Sequence, residues 1–357
     1  MTNNKFKNLE TLLKKKQKKW LITGVAGFIG SNLLEKLLIL GQQVVGLDNF
    51  DTGFQHNIDQ AIEDASNSVG KNLKGNFKFI NGDIRELKDC KEACCGIDYV
   101  LHQAALGSVP RSIKDPINTN RTNIDGFLNM LVASKDENIR RFIYASSSSV
   151  YGDYSDLPKF EDKTGNPISP YAITKVVNEL YANVFAKSYD LVVIGLRYFN
   201  VFGKRQDPDN PYAAVIPKWI VSILAGEDVF INGDGETSRD FCYVNNAVQI
   251  NLLAALTNNN AAINQVYNVA VNDRTSLNEL YKMIDERITL KTKILKKKLP
   301  IYRDFRVGDV KHSQADINKA KNLLNYHPTH KIDQAMDEVL VWYLKSFNDQ
   351  LNLNTKR

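Results

Sequence analysis

A chain of 357 residues, 43% apolar and 24% charged, has the composition of a globular protein with ample core, built as one large two-lobed domain or two ordinary ones. The net charge of +6 suggests nucleic acid, but much of the excess lies in Lys14, Lys15, Lys16, Lys18 and Lys19 and in Lys296, Lys297 and Lys298. No aromatic residues interleave with these runs for base stacking, so no nucleic-acid function is expected. Cys90, Cys94, Cys95 and Cys242 form neither a disulfide framework nor a zinc spacing, so reduced thiols, no metal and a cytoplasmic location are expected. The Met1-Thr-Asn-Asn-Lys start lacks an apolar leader, and no apolar run reaches about 18 residues, so no membrane span is expected.

In chain order, residues 1–18 read as a basic N-terminal helical extension. Trp20–Gly24 then reads as a short buried strand, Gly27–Leu40 as a helix and Gln43–Leu47 as a second strand, a β-α-β unit with parallel strands. Further strands are predicted at Phe77–Ile80, Tyr99–His102, Arg141–Tyr144 and Leu191–Leu196, with helices at Thr122–Ser134 and Tyr171–Ala186. This alternation predicts an α/β doubly wound parallel sheet of the Rossmann type. After Asn200 short strands, prolines and Gly233-Asp-Gly235 suggest a smaller, mixed substrate lobe. The expected division is a dinucleotide-binding domain over 19–200, with 240–262 packing back on it, a second lobe from 201–239 and 263–345, and a tail over 346–357.

Gly24-Val-Ala-Gly27-Phe-Ile-Gly30 follows a strand and opens a helix, as a pyrophosphate seat requires; an ordinary glycine-containing βα turn would show the same residues. Asp48, ending the second strand, sits near the roughly 20-residue offset at which a carboxylate holds ribose hydroxyls. It would repel a 2′-phosphate, which favours NAD over NADP. Asp83 is placed to reach the adenine, or is a plain turn aspartate.

Tyr171 and Lys175 are four residues apart behind Pro170 and share a helix face. Bringing a phenol from about 10 to about 7 takes roughly 4 kcal/mol, which a neighbouring ammonium and a cationic cofactor ring are expected to supply. Ser146–Ser149 lie where the strand predicted at Arg141–Tyr144 ends, on the edge where ligands of open α/β sheets bind, so at least one of these hydroxyls belongs to the site.

The glycine pattern, the serine run before Val150-Tyr-Gly152, Tyr171-x3-Lys175 and Leu196-Arg-Tyr-Phe-Asn200 resemble the extended short-chain dehydrogenase/reductases that act on nucleotide sugars, over nearly everything after residue 18. The resemblance implies NAD and places further cofactor contacts at Phe28, Ile29, Asn49, Gly53, Ile84, Gln103, Ala105, Thr122 and Tyr198. By register on Val150-Tyr-Gly152 the catalytic serine falls on Ser147, with Ser148 and Ser149 beside it. Family dehydratases and decarboxylases carry a carboxylate just before Val-Tyr-Gly; Ser149 stands there, which favours 4-epimerisation. The same resemblance places Arg239, Arg306, Asp309 and Asn200 around the diphosphate, Val215, Lys218, Ile231 and Asn232 around a uridine, and Ser108 near the sugar. Ser313 occupies the position where a tyrosine admits plain hexoses and a small residue admits an N-acetyl group. The pattern Tyr198–Pro208 through Tyr212–Trp219 is most similar to bacterial UDP-N-acetylglucosamine 4-epimerases of surface-polysaccharide (O-antigen) pathways. The implied reaction interconverts UDP-N-acetylglucosamine and UDP-N-acetylgalactosamine, or their uronic acids, through a 4-keto sugar in a homodimer. UDP-glucuronate 4-epimerisation and a non-catalytic NAD-binding regulator are the alternatives.

Overall fold

Strand β1 (Lys19–Thr23) buries Trp20, Leu21 and Ile22 completely, because it lies inside a sheet whose two faces are covered by helices. The computed structural model describes residues 4–209, 213–292, 298–305 and 311–354. Its main sheet continues through β2 (Gln43–Asp48), β3 (Phe77–Asn81), β4 (Tyr99–His102), β5 (Arg141–Ser147) and β6 (Val193–Tyr198). A seventh strand, Gln265–Val269, completes it. All pairings are parallel, in the order Gln265–Val269, β6, β5, β4, β1, β2, β3. The chain winds outward in opposite directions from β1, which opens a crevice between the carboxyl ends of β1 and β4. That crevice positions everything below.

Three outcomes differ from the sequence reading. Gln265–Val269, expected in the smaller lobe, pairs with β6, and helix Asn318–Leu324 packs against it. Tyr267, fully buried, joins the main core with Ala320, Leu324 and Tyr326. A short apolar strand after a break in pattern carries no mark of the sheet it will join. Second, the region after Asn200 is rich in helix: Val215–Leu224, Leu277–Thr292 and Ile332–Asn354 pack around a separate core that includes Trp219, Ile231, Phe241, Ile284 and Met336. Third, Thr122 lies not in an α-helix but in a π-helical turn, Arg121–Asp125, that precedes helix Gly126–Asp136.

Helix α1 (Asn4–Lys15) sets Phe6, Leu9 and Leu13 against the main core, and Gln42 Nε2 donates to the Leu13 carbonyl at 2.8 Å. Helix Val244–Leu256 is almost wholly buried against α2 (Phe28–Ile39). Cys90, Cys94 and Cys242 are buried free thiols, whereas Cys95 is exposed.

Candidate active site

The glycine turn is required by backbone contact. Gly24 has φ +69°, and a Cβ there would lie 2.8 Å from the Ala104 nitrogen. At Gly30 a Cβ would meet the Gly24 carbonyl oxygen at 2.0 Å, so only glycine lets α2 start this close to β1. Gly27 caps α2 with no side-chain cap, leaving the first-turn amides facing the crevice.

Asp48 ends β2 and is buried. Its two carboxylate oxygens accept from Ala26 N and Phe50 N, both at 2.9 Å, which pins the glycine turn to β2. Burial raises its pKa against these amide hydrogen bonds. Each oxygen keeps a second lone pair for a ribose hydroxyl. Asp83 accepts Asn49 Nδ2 at 2.9 Å and the Arg85 guanidinium; burial opposes ionisation, but these partners hold its carboxyl below the ordinary value.

Every residue expected to hold the dinucleotide lines one cavity of about 500 Å³, from Gly24 and Asp48 to Tyr171 and Lys175. The Thr122 hydroxyl is buried there without a hydrogen-bond partner among the described residues. A glycine cradle, a ribose-competent carboxylate and an orphan hydroxyl along one cavity fit NAD.

Ser169 caps helix Pro170–Ser188, its Oγ accepting from Ala172 N at 3.1 Å, so Tyr171 enters in the first turn facing the end of β5. Strand alternation sorts the serine run. Ser146 turns inward and donates to Glu179 Oε1 at 2.5 Å, beside the Arg197 fork on the same carboxylate. Ser147 turns the other way and lines the dinucleotide cavity with Tyr171, its hydroxyl favouring the ionised phenol. Ser149 donates to Ser147 Oγ at 3.0 Å, and neither Ser148 nor Ser149 lines the cavity.

Lys175 Nζ is buried and donates to the Ala145 carbonyl at 2.9 Å, 5.8 Å from the centre of the Tyr171 ring. Burial lowers the Lys175 pKa to about 8. The expected lowering of the phenol pKa is not seen in this state. Burial raises it, and only the Ser147 hydroxyl opposes. The ammonium is held on a carbonyl rather than on the phenol, which is the physical reason.

Tyr198 donates to Gln103 Oε1 at 3.0 Å and accepts from Asn251 Nδ2 at 2.8 Å. Asn251 escaped the sequence reading. Its signal is a polar residue inside the apolar run Val244–Leu256, fully buried and therefore in need of partners.

A second cavity of about 690 Å³ shares Ser108, Asn200, Val201, Ala213 and Ala214 with the first. Val215, Lys218, Asn232 and Arg239 line it with Phe230 of the expected nucleoside segment, together with Trp219, Arg303, Phe305 and Lys311, which the sequence reading missed. Arg239 Nη1 donates to the Ser238 and Lys311 carbonyls, at 3.0 and 3.1 Å. Aromatic faces beside four cations suit a base followed by a diphosphate. Ile231 is fully buried behind the wall. Among the described residues Ser313 lines neither cavity; its N–H donates to the Ser238 carbonyl at 3.0 Å. Arg306 and Asp309 lie outside the described residues.

Comparisons with known proteins agree with this geometry. Residues 20–270 match the model of the "NAD dependent epimerase/dehydratase family". A putative UDP-glucose 4-epimerase of Methanocaldococcus jannaschii is 34% identical over 90% of this chain and 97% of its own. A UDP-N-acetylglucosamine 4-epimerase of Methanobrevibacter ruminantium, solved with UDP-N-acetylmuramic acid, is 38% identical with a TM-score of 0.82, over 93% and 99% of the two chains. The UDP-glucuronic acid 4-epimerase of Bacillus cereus, solved with UDP-glucuronic acid and NAD, is 31% identical with a TM-score of 0.80, over 92% and 99%. No helix among the described residues is long and apolar enough to cross a membrane.

Proposed function

The chain belongs to the NAD dependent epimerase/dehydratase family, and from that premise we propose that it is an isomerase inverting C4 of a UDP-linked sugar. The observation that carries this reading is that Tyr171, Ser147 and Lys175 share the dinucleotide cavity, which opens through Ser108 and Asn200 onto a second cavity lined by cations and aromatic rings. Among UDP-sugars, the pair UDP-N-acetylglucosamine and UDP-N-acetylgalactosamine is favoured by the small Ser313 and by the likeness to the Methanobrevibacter enzyme.

Gly24, Gly27 and Gly30 with the first turn of α2 would hold the cofactor's pyrophosphate, Asp48 its ribose, and Gln103, Thr122 and Tyr198 its far end. When bound, NAD supplies a two-electron acceptor, regenerated each cycle, and a positive charge in the same cavity. Tyr171 takes the proton of the sugar 4-hydroxyl and returns one after the ring has turned, with Ser147 donating to the phenol oxygen or relaying. Lys175 adds a buried positive charge beside the phenol below about pH 8. Arg239 holds the diphosphate, Lys218 lies with Val215 and Asn232 beside the uridine, and Asn200, bordering both cavities, orients the diphosphate, so the sugar turns while the nucleotide stays anchored.

The exposed Ile173, Leu180 and Val184 form one stripe on helix Pro170–Ser188 and would pair with a second copy, as a homodimer requires. Leu180→Glu should then shift the mass measured by light scattering to that of a monomer.

The test of function is to incubate the purified protein with UDP-N-acetylglucosamine, UDP-glucose and UDP-glucuronate separately, without added NAD, and resolve the products. Conversion of the first to its C4 epimer, faster than of the others, is expected. No interconversion of any UDP-sugar, with NAD supplied, rejects the reading; preferred turnover of the glucuronate reassigns the substrate.

A further inference from the structure

Arg205 is a buried arginine outside the reaction chemistry. Its side chain is 0% exposed, and its backbone is left-handed at φ +65°, an unfavourable region for a residue with a Cβ. The guanidinium meets Glu35 Oε2 at 2.5 Å, Asp64 Oδ2 at 3.1 Å, and Ser31 Oγ and Asn32 Oδ1, both at 3.2 Å. Beside it Lys204 Nζ lies 2.7 Å from Glu35 and 3.6 Å from Asp64, while Asn32 Nδ2 donates to the Lys204 carbonyl at 3.1 Å.

These partners sit on different parts of the fold. Ser31, Asn32 and Glu35 lie on α2, whose start faces the pyrophosphate seat. Asp64 lies on helix Gln55–Val69, tied to the glycine turn where Asn57 Nδ2 donates to the Ala26 carbonyl at 2.8 Å. Lys204 and Arg205 follow the strand Val201–Phe202, on the way into the smaller lobe. On the next residue, the Gln206 carbonyl accepts the Tyr343 hydroxyl at 2.5 Å from helix Ile332–Asn354. Arg205, Gln206 and Asp207 form a wall of the dinucleotide cavity, and Gln206 Oε1 is buried there with no partner among the described residues. A buried charge cluster thus clamps a cavity wall drawn from one lobe onto the helices that cradle the cofactor in the other.

We infer that this clamp retains the dinucleotide. With Lys204 and Arg205 locked on Glu35 and Asp64, the segment 204–207 closes the cavity, and NAD leaves only when the clamp opens. The strained backbone at Arg205 persists because the guanidinium is fixed on several sides.

The inference rests on the proposed NAD binding, and the experiment separates the two. NAD bound to the purified protein is measured after acid release, and its dissociation rate by chase with labelled NAD. Wild-type protein should emerge with close to one NAD per chain. Asp64→Asn and Glu35→Gln, neither of which touches the reaction chemistry, should each release NAD at least about tenfold faster, because removing one partner leaves a buried cation uncompensated. Wild-type release should quicken with salt, and release from the Asp64→Asn protein should respond less. Asp337→Asn, which removes an ion pair of Arg287 and Lys291 remote from the cavity, should release at the wild-type rate. Unchanged release in both clamp variants overturns the inference, and so does equal acceleration by Asp337→Asn. A wild-type protein that neither carries NAD nor binds added NAD overturns the functional reading and the clamp with it.

Discussion

The two cavities are built in different ways. The dinucleotide cavity is made largely of backbone: a glycine turn that tolerates no Cβ, amide groups at the start of α2, and a carboxylate held by two N–H groups. The adjoining cavity is made of side chains from separate stretches, among them Lys218, Trp219, Phe230, Arg239, Arg303 and Lys311. Substitutions in the first should disturb cofactor retention and chemistry, and those in the second substrate affinity. Each prediction below tests that division.

Tyr171→Phe falls in the first cavity and should show the largest loss. Removing the acid–base group should cut turnover by about 10²–10⁴-fold, while NAD content and UDP affinity stay near wild type. Product formation by chromatography and ligand affinity by calorimetry check this. Turnover within tenfold of wild type would break the assignment of the phenol.

Next come the serines. Ser147 shares the cavity with the phenol and favours its ionisation, whereas Ser149 lies outside the cavity and bonds Ser147. Ser147→Ala should lose about 10²-fold in kcat, and Ser149→Ala much less. Ser146→Ala should leave kcat nearly intact and lower Tm, because it strips a donor from the buried Glu179–Arg197 pair. Equal losses in all three would show that strand alternation does not sort the run.

Arg239→Met belongs to the second cavity. It should raise KM for UDP-sugar by about 10–100-fold with kcat little changed, the cost of losing a charge-assisted hydrogen bond to phosphate. A fall in kcat at constant KM would move Arg239 into the chemistry.

The pH dependence returns to the first cavity. Burial sets Lys175 at about 8, so its cation is present below that value and lost above it. The kcat profile should therefore have a descending limb near pH 8, and a flat profile to pH 10 would contradict the role given to the ammonium. Stability runs the other way. Between about 8 and the ordinary lysine value the unfolded chain binds more protons than the folded one, so rising pH relieves the cost of burying the ammonium.

The contrast between the cavities also decides what could be read from sequence. A contiguous strand–glycine–helix segment has a fixed geometry, so Gly24, Asp48 and their neighbours converge on one cavity from spacing alone. Tyr171 and Lys175 share a helical period in the same way. The second cavity has no such period. Arg303 reaches it because a short parallel pairing of Ile301–Arg303 with Phe230–Asn232 brings residues 71 apart together, and Lys311 because its carbonyl accepts from Ser238 N; no local pattern encodes either contact. The state of the phenol was also illegible, since it depends on Lys175 Nζ settling on the Ala145 carbonyl. Gln265–Val269 was misplaced for the same reason: sheet membership is set by a partner, β6, that lies far away in sequence.

Ser313 is where sequence pattern and geometry pull furthest apart, and it gives the smallest expected effect. The residue lines neither cavity, yet it stands two positions beyond Lys311, which does. The segment is bridged to Ser238 through His312 and to Lys159 through Ala315. Alternate residues of an extended segment share a side, so a longer side chain at 313 points the way Lys311 does. Tyrosine adds a ring to a tightly packed wall, where even a methylene is felt. Ser313→Tyr should therefore lower kcat/KM for UDP-N-acetylglucosamine by about tenfold relative to UDP-glucose, a difference of about 1.4 kcal/mol. Assays of both substrates on one preparation give the ratio free of errors in active concentration. An unchanged ratio would mean that the N-acetyl group is accommodated elsewhere, between Ser108 and Asn200 where the two cavities meet.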